Sequence, residues 1–399
     1  MTTRTDTEAG AGGIGGPGTS RPRGGFGTVA RISLVLWGLF ALAYSGWWFV
    51  RAAAGDGPPS SHPSGPTIRG IFRPDWLPEL ALPIGLAIVA LSMIAIGSAG
   101  NRALRLRTFW WVAAVPALIL GFLIPGPSVL TFAGYLAAYL LPFIIVGLVF
   151  SMRSWKARVS VAVGASVLAV ILFLRGSLGG GDIADMALGT VDAIAAMGLW
   201  PLVELFCSVG GILWIAIMWK LFSAEISVSK SRGADAVRRM LSPESAAKWG
   251  KVTAYVAAAG PMPYVLARMT WLTPWPYPKP DEAVQLNPAV ISFGLMLGFA
   301  AVGGATLTIG LVRRWGEVWP SWMPVLAGRP VNPKAALIPG FAVAYLISAG
   351  APAAIGRAIS TGDLSLVLWI PLPIWGPALG LAVFAYGLRR KAISVVAPR

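Results

Sequence analysis

The sequence predicts an all-α fold, a polytopic bundle of about ten transmembrane helices with both termini in the cytoplasm. Composition is the first reason: 56% of the 399 residues are hydrophobic and 12% are charged, whereas soluble domains have about 25% charged residues. Long apolar runs, with a mean hydropathy of +0.71 over the chain, are the second. The third is that 25 of the 32 Lys and Arg residues lie in alternate gaps between these runs.

The alternating charge also orients the chain, because loops on the cytoplasmic side of a membrane carry an excess of Lys and Arg. The other gaps, counted with the last residues of the first and fifth runs, hold only six cations. The cations are therefore predicted on the inner face, against the anionic headgroups of the bilayer. The basic gaps are 1–31, 101–108, 152–158, 220–251, 313–334 and 389–399.

Each apolar run is interpreted as one helix, because about 20 apolar residues cross the hydrocarbon core and backbone groups in lipid must be hydrogen-bonded within the segment. The third and fifth runs are the shortest. The four residues from Pro125 to Ser128 join the third and fourth runs either as a tight outer turn or within a re-entrant pair that does not cross. The ten runs are 32–51, 80–100, 109–125, 129–151, 159–175, 197–219, 252–273, 289–312, 335–356 and 364–388.

The remaining segments are predicted to be tails and loops. The Gly-rich residues 1–30 are expected to be a disordered cytoplasmic tail, residues 31–391 the helix bundle, and residues 392–399 a second short tail. The gap 52–79, rich in Pro, Ser and Gly, is the largest outer loop.

Two inner loops, 220–251 and 313–334, are the segments most suited to bind a protein partner. Within the first, Glu225 to Leu241 is predicted to form a surface helix. Ser242 is then expected to cap a new helix, with Pro243 in its first turn. The surface helix is interpreted either as a contact for a partner or headgroup, or as a plain connector on the membrane.

Several chemistries are not expected. The chain has one cysteine, Cys207, and one histidine, His62, so a metal site built from His and Cys and a Cys–His catalytic pair are not predicted. No cofactor-binding fingerprint is present. The net charge of +16 is not interpreted as nucleic-acid binding, because the cations lie at the ends of apolar runs.

Two ionisable residues lie inside predicted spans, Glu204 in the sixth and Arg268 in the seventh. On insertion scales each costs about 2.5–3.5 kcal/mol at a helix centre. Because the two runs are consecutive and antiparallel, the side chains are predicted at similar depths, as an ion pair in the outer third of the membrane. The pair would either fix helix packing only, or form a substrate or proton site to which Tyr264 adds a hydroxyl; alternatively Arg268 extends to the interface without pairing.

A break is predicted in the seventh span at Pro261 and Pro263, because proline has no backbone N–H to donate within a helix. Broken helices often line binding sites in transporters. Kinked helices without a ligand are also common, so both interpretations stay open.

The segment after the eighth apolar run is rich in Arg, Trp and Pro, and is predicted to be a rigid loop at the inner interface. Glu317 is expected to pair with Arg313, Arg314 or Arg329. The loop contains the run Arg314-Trp315-Gly316-Glu317, then Trp322-Met323-Pro324, then Gly328-Arg329-Pro330-Val331.

This pattern resembles a family of uncharacterised multi-pass membrane proteins from high-G+C bacteria. The resemblance is firmest over residues 290–345. It implies a location in a bacterial plasma membrane, and it implies no activity, cofactor or catalytic residue.

The function favoured by the sequence is a transporter or permease-like protein for a small solute. The alternative is a non-catalytic membrane subunit or scaffold that binds a partner through its cytoplasmic loops; an enzyme ranks last. A transporter predicts a water-accessible cavity that reaches Glu204 and Arg268. A scaffold predicts that these side chains are sealed between helices and that a basic or apolar patch is exposed on the inner face.

Overall fold

The structure is a computed structural model. It describes residues 28–54, 77–98, 109–123, 128–151, 155–174, 188–189, 191–192, 200–273, 275, 288–321, 327–362 and 364–391. Residues 1–27 and 392–399 of the two predicted tails, residues 55–76 of the predicted outer loop, and Trp322 lie outside the described part.

The all-α fold class is confirmed, since the described residues form helices joined by turns. A π-helical segment, Ile119–Leu123, directly follows α3, and a single 3₁₀ turn, Arg314–Gly316, follows α10. The α-helices are α1 Thr28–Ala53, α2 Leu77–Ser98, α3 Phe109–Leu118, α4 Ser128–Ser151, α5 Trp155–Leu174, α6 Trp200–Val228, α7 Arg232–Met240, α8 Pro243–Ala259, α9 Met262–Thr270, α10 Pro288–Gly310, α11 Pro333–Thr361, α12 Ser365–Trp369 and α13 Leu372–Arg389.

Three segments of the described chain are helical, long and apolar enough to cross a membrane: Cys207–Ser227, Pro333–Ile359 and Val367–Arg389. Shorter apolar helices lie within α1, α2, α10 and the stretch formed by α3 and the π-segment. These segments support a membrane protein. The count of ten spans stays a prediction.

Three predicted spans are not single α-helices. The third consists of α3 and the π-segment, and Pro116 lies inside α3. The seventh is divided between α8 and α9, and the tenth between α12 and α13 at Pro371. Proline lies inside or next to each irregularity, since it removes one N–H from the helical hydrogen-bond ladder and crowds the preceding turn.

The first inner loop is more helical than predicted. Helix α6 continues to Val228, and the surface helix begins at Arg232 instead of Glu225. Its start is set by Ser231, whose hydroxyl accepts a hydrogen bond from the N–H of Ala234 at 3.2 Å. The predicted cap of the next helix is confirmed: the Ser242 hydroxyl accepts from the N–H of Ser245 at 3.3 Å.

The main core lies where α8, α11 and α13 pack together. Most of its buried residues are small or aliphatic, so the helix backbones approach closely. At Gly250 of α8, an added Cβ would lie 2.4 Å from the Cβ of Ala385 on α13, and at Gly340 of α11 it would lie 2.7 Å from the side chain of Val383. Close packing of this kind holds helices together in lipid, where the hydrophobic effect does not drive them to associate.

A second packed layer runs from α1 to α2, α3 and α6. Its buried residues include Ile96, Ala113, Cys207 and Trp214. The π-segment contacts both α6 and α11, so it joins this layer to the main core.

Substitution of Gly250 by Ala tests the main core. We expect Gly250→Ala to lower the free energy of unfolding by about 1–3 kcal/mol, because the new methyl group would overlap Ala385. The matched control is Gly303→Ala on α10, where an added Cβ meets no atom within 4 Å and better helix propensity adds up to about 1 kcal/mol. Thermal unfolding in detergent, followed by tryptophan fluorescence, measures both. Equal melting temperatures for the two variants would contradict the assignment of this helix contact.

Candidate functional site

Glu204 is completely buried, at 0% exposure. It belongs to a strip on one face of α6, where buried residues recur at spacings of three and four: Glu204, Cys207, Ser208, Gly211 and Trp214. This is the helical period expected of an inward face. The strip faces α3 and the π-segment, with which α6 packs most closely.

The π-segment meets this strip at two glycines. An added Cβ on Gly211 would lie 2.4 Å from the Cα of Gly121, so Gly211 has no room for a side chain. Beside them, the Tyr345 ring of α11 lies 5.9 Å from the ring of Phe122, and its hydroxyl faces Ser208. Single π-turns inside helices frequently occur at functional sites. The buried strip of α6 therefore meets the π-segment at Gly211, close to Tyr345 of α11.

Arg268 lies in the last turn of α9 and is half-buried. Its guanidinium carbon is 4.0 Å from the centroid of the Trp271 ring and 5.0 Å from that of the Tyr264 ring. Such cation–π contacts contribute about 0.5–2 kcal/mol, whereas an arginine at a helix centre costs about 2.5–3.5 kcal/mol. The rings offset part of the cost of placing this cation within an apolar segment.

The structure does not bring Glu204 and Arg268 together. Helix α6 packs mainly against α3 and the π-segment, while α9 packs mainly against α10. Among the described residues, the salt bridges join Arg238 to Asp235 and Arg389 to Glu317. Consecutive order along the chain predicted that α6 and α9 are neighbours, but the helices between them in the sequence, α7 and α8, carry the chain to a different packing partner. A functional role for either residue stays a prediction.

The break in the seventh span is centred on Gly260 and Pro261, between the end of α8 and the start of α9. Pro263 follows in the first turn of α9. An added Cβ on Gly260 would lie 2.6 Å from the Trp375 ring of α13, and Pro261 is fully buried. A tryptophan of the chain itself therefore fills the space beside the break.

The described residues of the second inner loop, 313–321 and 327–334, pair with each other. Val318 and Pro330 form an antiparallel bridge, and backbone hydrogen bonds at 2.9–3.0 Å join Trp319 to Arg329 and Val331 to Glu317. The 3₁₀ turn before the bridge places the Trp315 ring against Gly310, at the end of α10.

The end of α13 holds this loop through three side chains, Tyr386, Arg389 and Arg390, which we call the C-terminal clamp. The Tyr386 hydroxyl donates to the carbonyl of Gly316 at 2.9 Å. Arg389 donates to the Glu317 carboxylate at 3.2 Å and to the carbonyl of Leu311. Arg390 donates to the carbonyls of Glu317 and Val331 at 3.2 and 2.9 Å.

The clamp corrects the expected pairing of Glu317. Its salt bridge is with Arg389. Arg313, one of the expected partners, donates instead to the Tyr255 hydroxyl at 3.1 Å, and the side chains of Arg314 and Arg329 are exposed. Sequence reasoning missed the clamp because its residues lie about 70 positions from the loop. The only available signal was a pair of arginines at the C-terminal end of an apolar helix, where cations also suit the helix dipole.

Helix α7 is fixed against the rest of the protein. Ala234 is buried, and Val237 and Leu241 pack against a cluster that contains Ile226. Arg238 donates to the carbonyls of Ile226 and Ser229 at the end of α6 and pairs with Asp235. The apolar face of this helix is thus covered by the protein itself.

The described residues contain no group of three or more His, Cys, Asp or Glu residues placed to hold a metal ion. A groove of about 420 Å³ is lined by residues of α5 alone, among them Val159, Val163 and Val167. None of the predicted site residues lines it. No protein family, curated protein or solved structure matches this chain. The resemblance of residues 290–345 to a bacterial membrane-protein family therefore stays a prediction.

Removal of the clamp arginines should loosen the second inner loop without unfolding the bundle. In the double variant Arg389→Ala and Arg390→Ala, we expect amide hydrogen exchange at Trp319, Gly328 and Val331 to accelerate about tenfold or more. Hydrogen bonds to charged donors contribute about 1.5–3 kcal/mol each, and partial exposure reduces that value. Hydrogen–deuterium exchange with mass spectrometry measures this in detergent.

The control for this test is Lys391→Ala, because Lys391 is exposed and is the next residue in the chain. Its exchange rates should match those of the wild type. If the loop amides are equally protected in all three proteins, the clamp does not order the loop.

Proposed function

We propose that this protein is a non-catalytic membrane subunit or scaffold of a bacterial plasma membrane, which binds an acidic protein partner at its inner face. The observation that carries the proposal is the second inner loop. The C-terminal clamp holds its backbone, while the side chains of Arg314, Arg329 and Lys334 are exposed.

Preorganisation is the first argument for a binding surface. A loop that is already ordered loses little conformational entropy when a partner binds, so its contacts contribute more fully to affinity. Here the clamp uses the Glu317 carboxylate and four backbone carbonyls as acceptors. The exposed cations are consequently presented on a fixed backbone.

The neighbouring first inner loop extends the same charge. Arg232 and Arg239 on α7, and Lys248 and Lys251 on α8, are exposed. Both helices are fixed by packing into the protein. A cationic surface on rigid elements favours an acidic partner. Cations of the same surface that lie next to the membrane would also bind anionic lipid headgroups.

The state of Glu204 supports the same proposal. A solute transporter predicted a water-accessible cavity that reaches Glu204 and Arg268, whereas a scaffold predicted that both side chains are sealed. Glu204 has no exposed surface, while Arg268 is half-buried. The burial of Glu204, together with the exposed cations of the two loops, favours a scaffold.

Charge reversal on the loop tests the proposal. In the double variant Arg314→Glu and Arg329→Glu, we expect recovery of the cross-linked partner to fall at least tenfold, because opposite charges would become like charges. The control Lys156→Glu and Arg158→Glu reverses two exposed cations on α5 and should retain recovery within twofold. Both proteins are cross-linked in their native membrane, purified in detergent and analysed by quantitative mass spectrometry.

Salt provides a second readout of the same interaction. Recovery without cross-linking should decrease between about 0.1 and 1 M salt, as the Debye length falls from about 10 to 3 Å. If the loop variant retains its partner, or if only lipids are lost on charge reversal, the proposed docking of an acidic protein is wrong.

Transport of a small solute is the second candidate function. The observation that favours it is the position of Glu204, a fully buried carboxyl group on the same face of α6 as the buried Ser208. Ionisable residues inside membrane segments often belong to proton or substrate pathways. In a transporter, the sealed arrangement would be an occluded state.

The transport candidate predicts proton movement that depends on Glu204. In vesicles that contain the purified protein, we expect Glu204→Gln to reduce proton flux at least tenfold, since the amide cannot exchange a proton. Cys207→Ser, on the same helix face, should change the flux less than twofold. A pH-sensitive dye inside the vesicles reports the flux under an imposed membrane potential. Flux equal to that of protein-free vesicles would remove this candidate.

A further inference from the structure

Among the described residues, the guanidinium of Arg268 has aromatic neighbours but no acceptor. Its described contacts are with the faces of the Trp271 and Tyr264 rings and with the glycines of α10; within the described residues, neither a hydrogen bond nor a salt bridge involves it. A ring face attracts the charge of a guanidinium but does not satisfy its N–H groups, which point outward in the plane of the group. The donors of this cation therefore remain available to an oxygen acceptor.

Tyr264 adds a second unsatisfied polar group at the same place. Its hydroxyl oxygen is buried and has no hydrogen-bond partner within the described part of the chain, while its ring lies against Arg268. Buried hydroxyl groups are normally hydrogen-bonded, and each exception requires an explanation. A missing acceptor that serves both Arg268 and Tyr264 explains both observations.

The side chain of Arg268 is held in place by α10. Gly294 and Gly298 lie one turn apart and face it: an added Cβ would lie 3.4 Å from Cδ and Cζ of Arg268 at Gly294, and 3.6 Å from its Cβ at Gly298. The spacing Gly-x-x-x-Gly commonly allows two helices to approach closely, and here it gives room to an arginine stem. If Arg268 simply extended to the membrane interface, its side chain would not need to lie against Gly294 and Gly298.

We propose that Arg268 and Tyr264 bind an anionic oxygen group, a carboxylate or a phosphate. Arg268 supplies the planar pair of donors that matches such a group, and Tyr264 supplies a hydroxyl donor. The anion belongs either to a phospholipid headgroup or to a small solute. The site does not include Glu204, and it is independent of the proposed docking surface on the inner loops.

Ligand-dependent thermal stability of the purified full chain tests this site in a neutral detergent. The probes are inorganic phosphate, succinate and a short-chain phosphatidylglycerol, each titrated separately. We expect at least one probe to raise the melting temperature in a saturable way. Arg268→Gln should weaken the apparent affinity at least tenfold. Arg268→Lys keeps the charge but loses the planar pair of N–H donors, so it should also weaken the affinity.

Two further variants keep the result interpretable if Arg268 variants fold poorly. Tyr264→Phe removes only the buried hydroxyl and should weaken binding about threefold or more. Arg329→Gln, a change at an exposed arginine of the inner loop, should leave affinity unchanged. A response to phosphate or succinate assigns the site to a soluble solute, and a response to the lipid alone assigns it to a headgroup.

Three outcomes would overturn the proposal. The first is no saturable response to any probe, and the second is equal responses in the wild type, Arg268→Gln and Tyr264→Phe. The third concerns Asp281 and Glu282, carboxylates in the gap that follows α9 in the sequence. If anions bind only after Asp281→Asn and Glu282→Gln, the chain itself supplies the acceptor.

Discussion

The close packing of α8, α11 and α13 is the interaction on which the rest of the described structure depends. Gly250 and Gly340 allow the helices to approach closely. The resulting van der Waals contacts hold the helices together, because the hydrophobic effect does not act between helices in lipid. The position of α13 follows from this contact. It brings Trp375 to the break between α8 and α9, and it brings Tyr386, Arg389 and Arg390 to the second inner loop.

This arrangement links the bundle to the proposed docking surface. The C-terminal clamp satisfies backbone carbonyls of the loop, so the loop does not need its own exposed cations for order. Arg314 and Arg329 are exposed, and they are the residues that the proposed partner would contact. In this proposal, different arginines of one small region stabilise the loop and bind the partner.

The two ionisable residues of the apolar segments are accommodated in different ways. Glu204 is fully buried on the face of α6 that packs against α3 and the π-segment, whereas Arg268 lies on two aromatic rings and two glycines of a separate helix pair. Because burial of an uncompensated charge is costly, each arrangement requires local compensation. The rings and the proposed anion provide it for Arg268.

The sequence by itself determined the helical class, the apolar segments, the break at Pro261, the cap at Ser242 and the cations between the apolar segments. These features depend on local chemistry: hydropathy, proline geometry and hydroxyl caps act within a few residues. Only the tertiary structure decided that Glu317 pairs with Arg389, that Arg268 lies against Gly294 and Gly298, and that Glu204 is fully buried. Such contacts join residues far apart in the chain, and their choice depends on which helices pack together, which neither composition nor periodicity specifies.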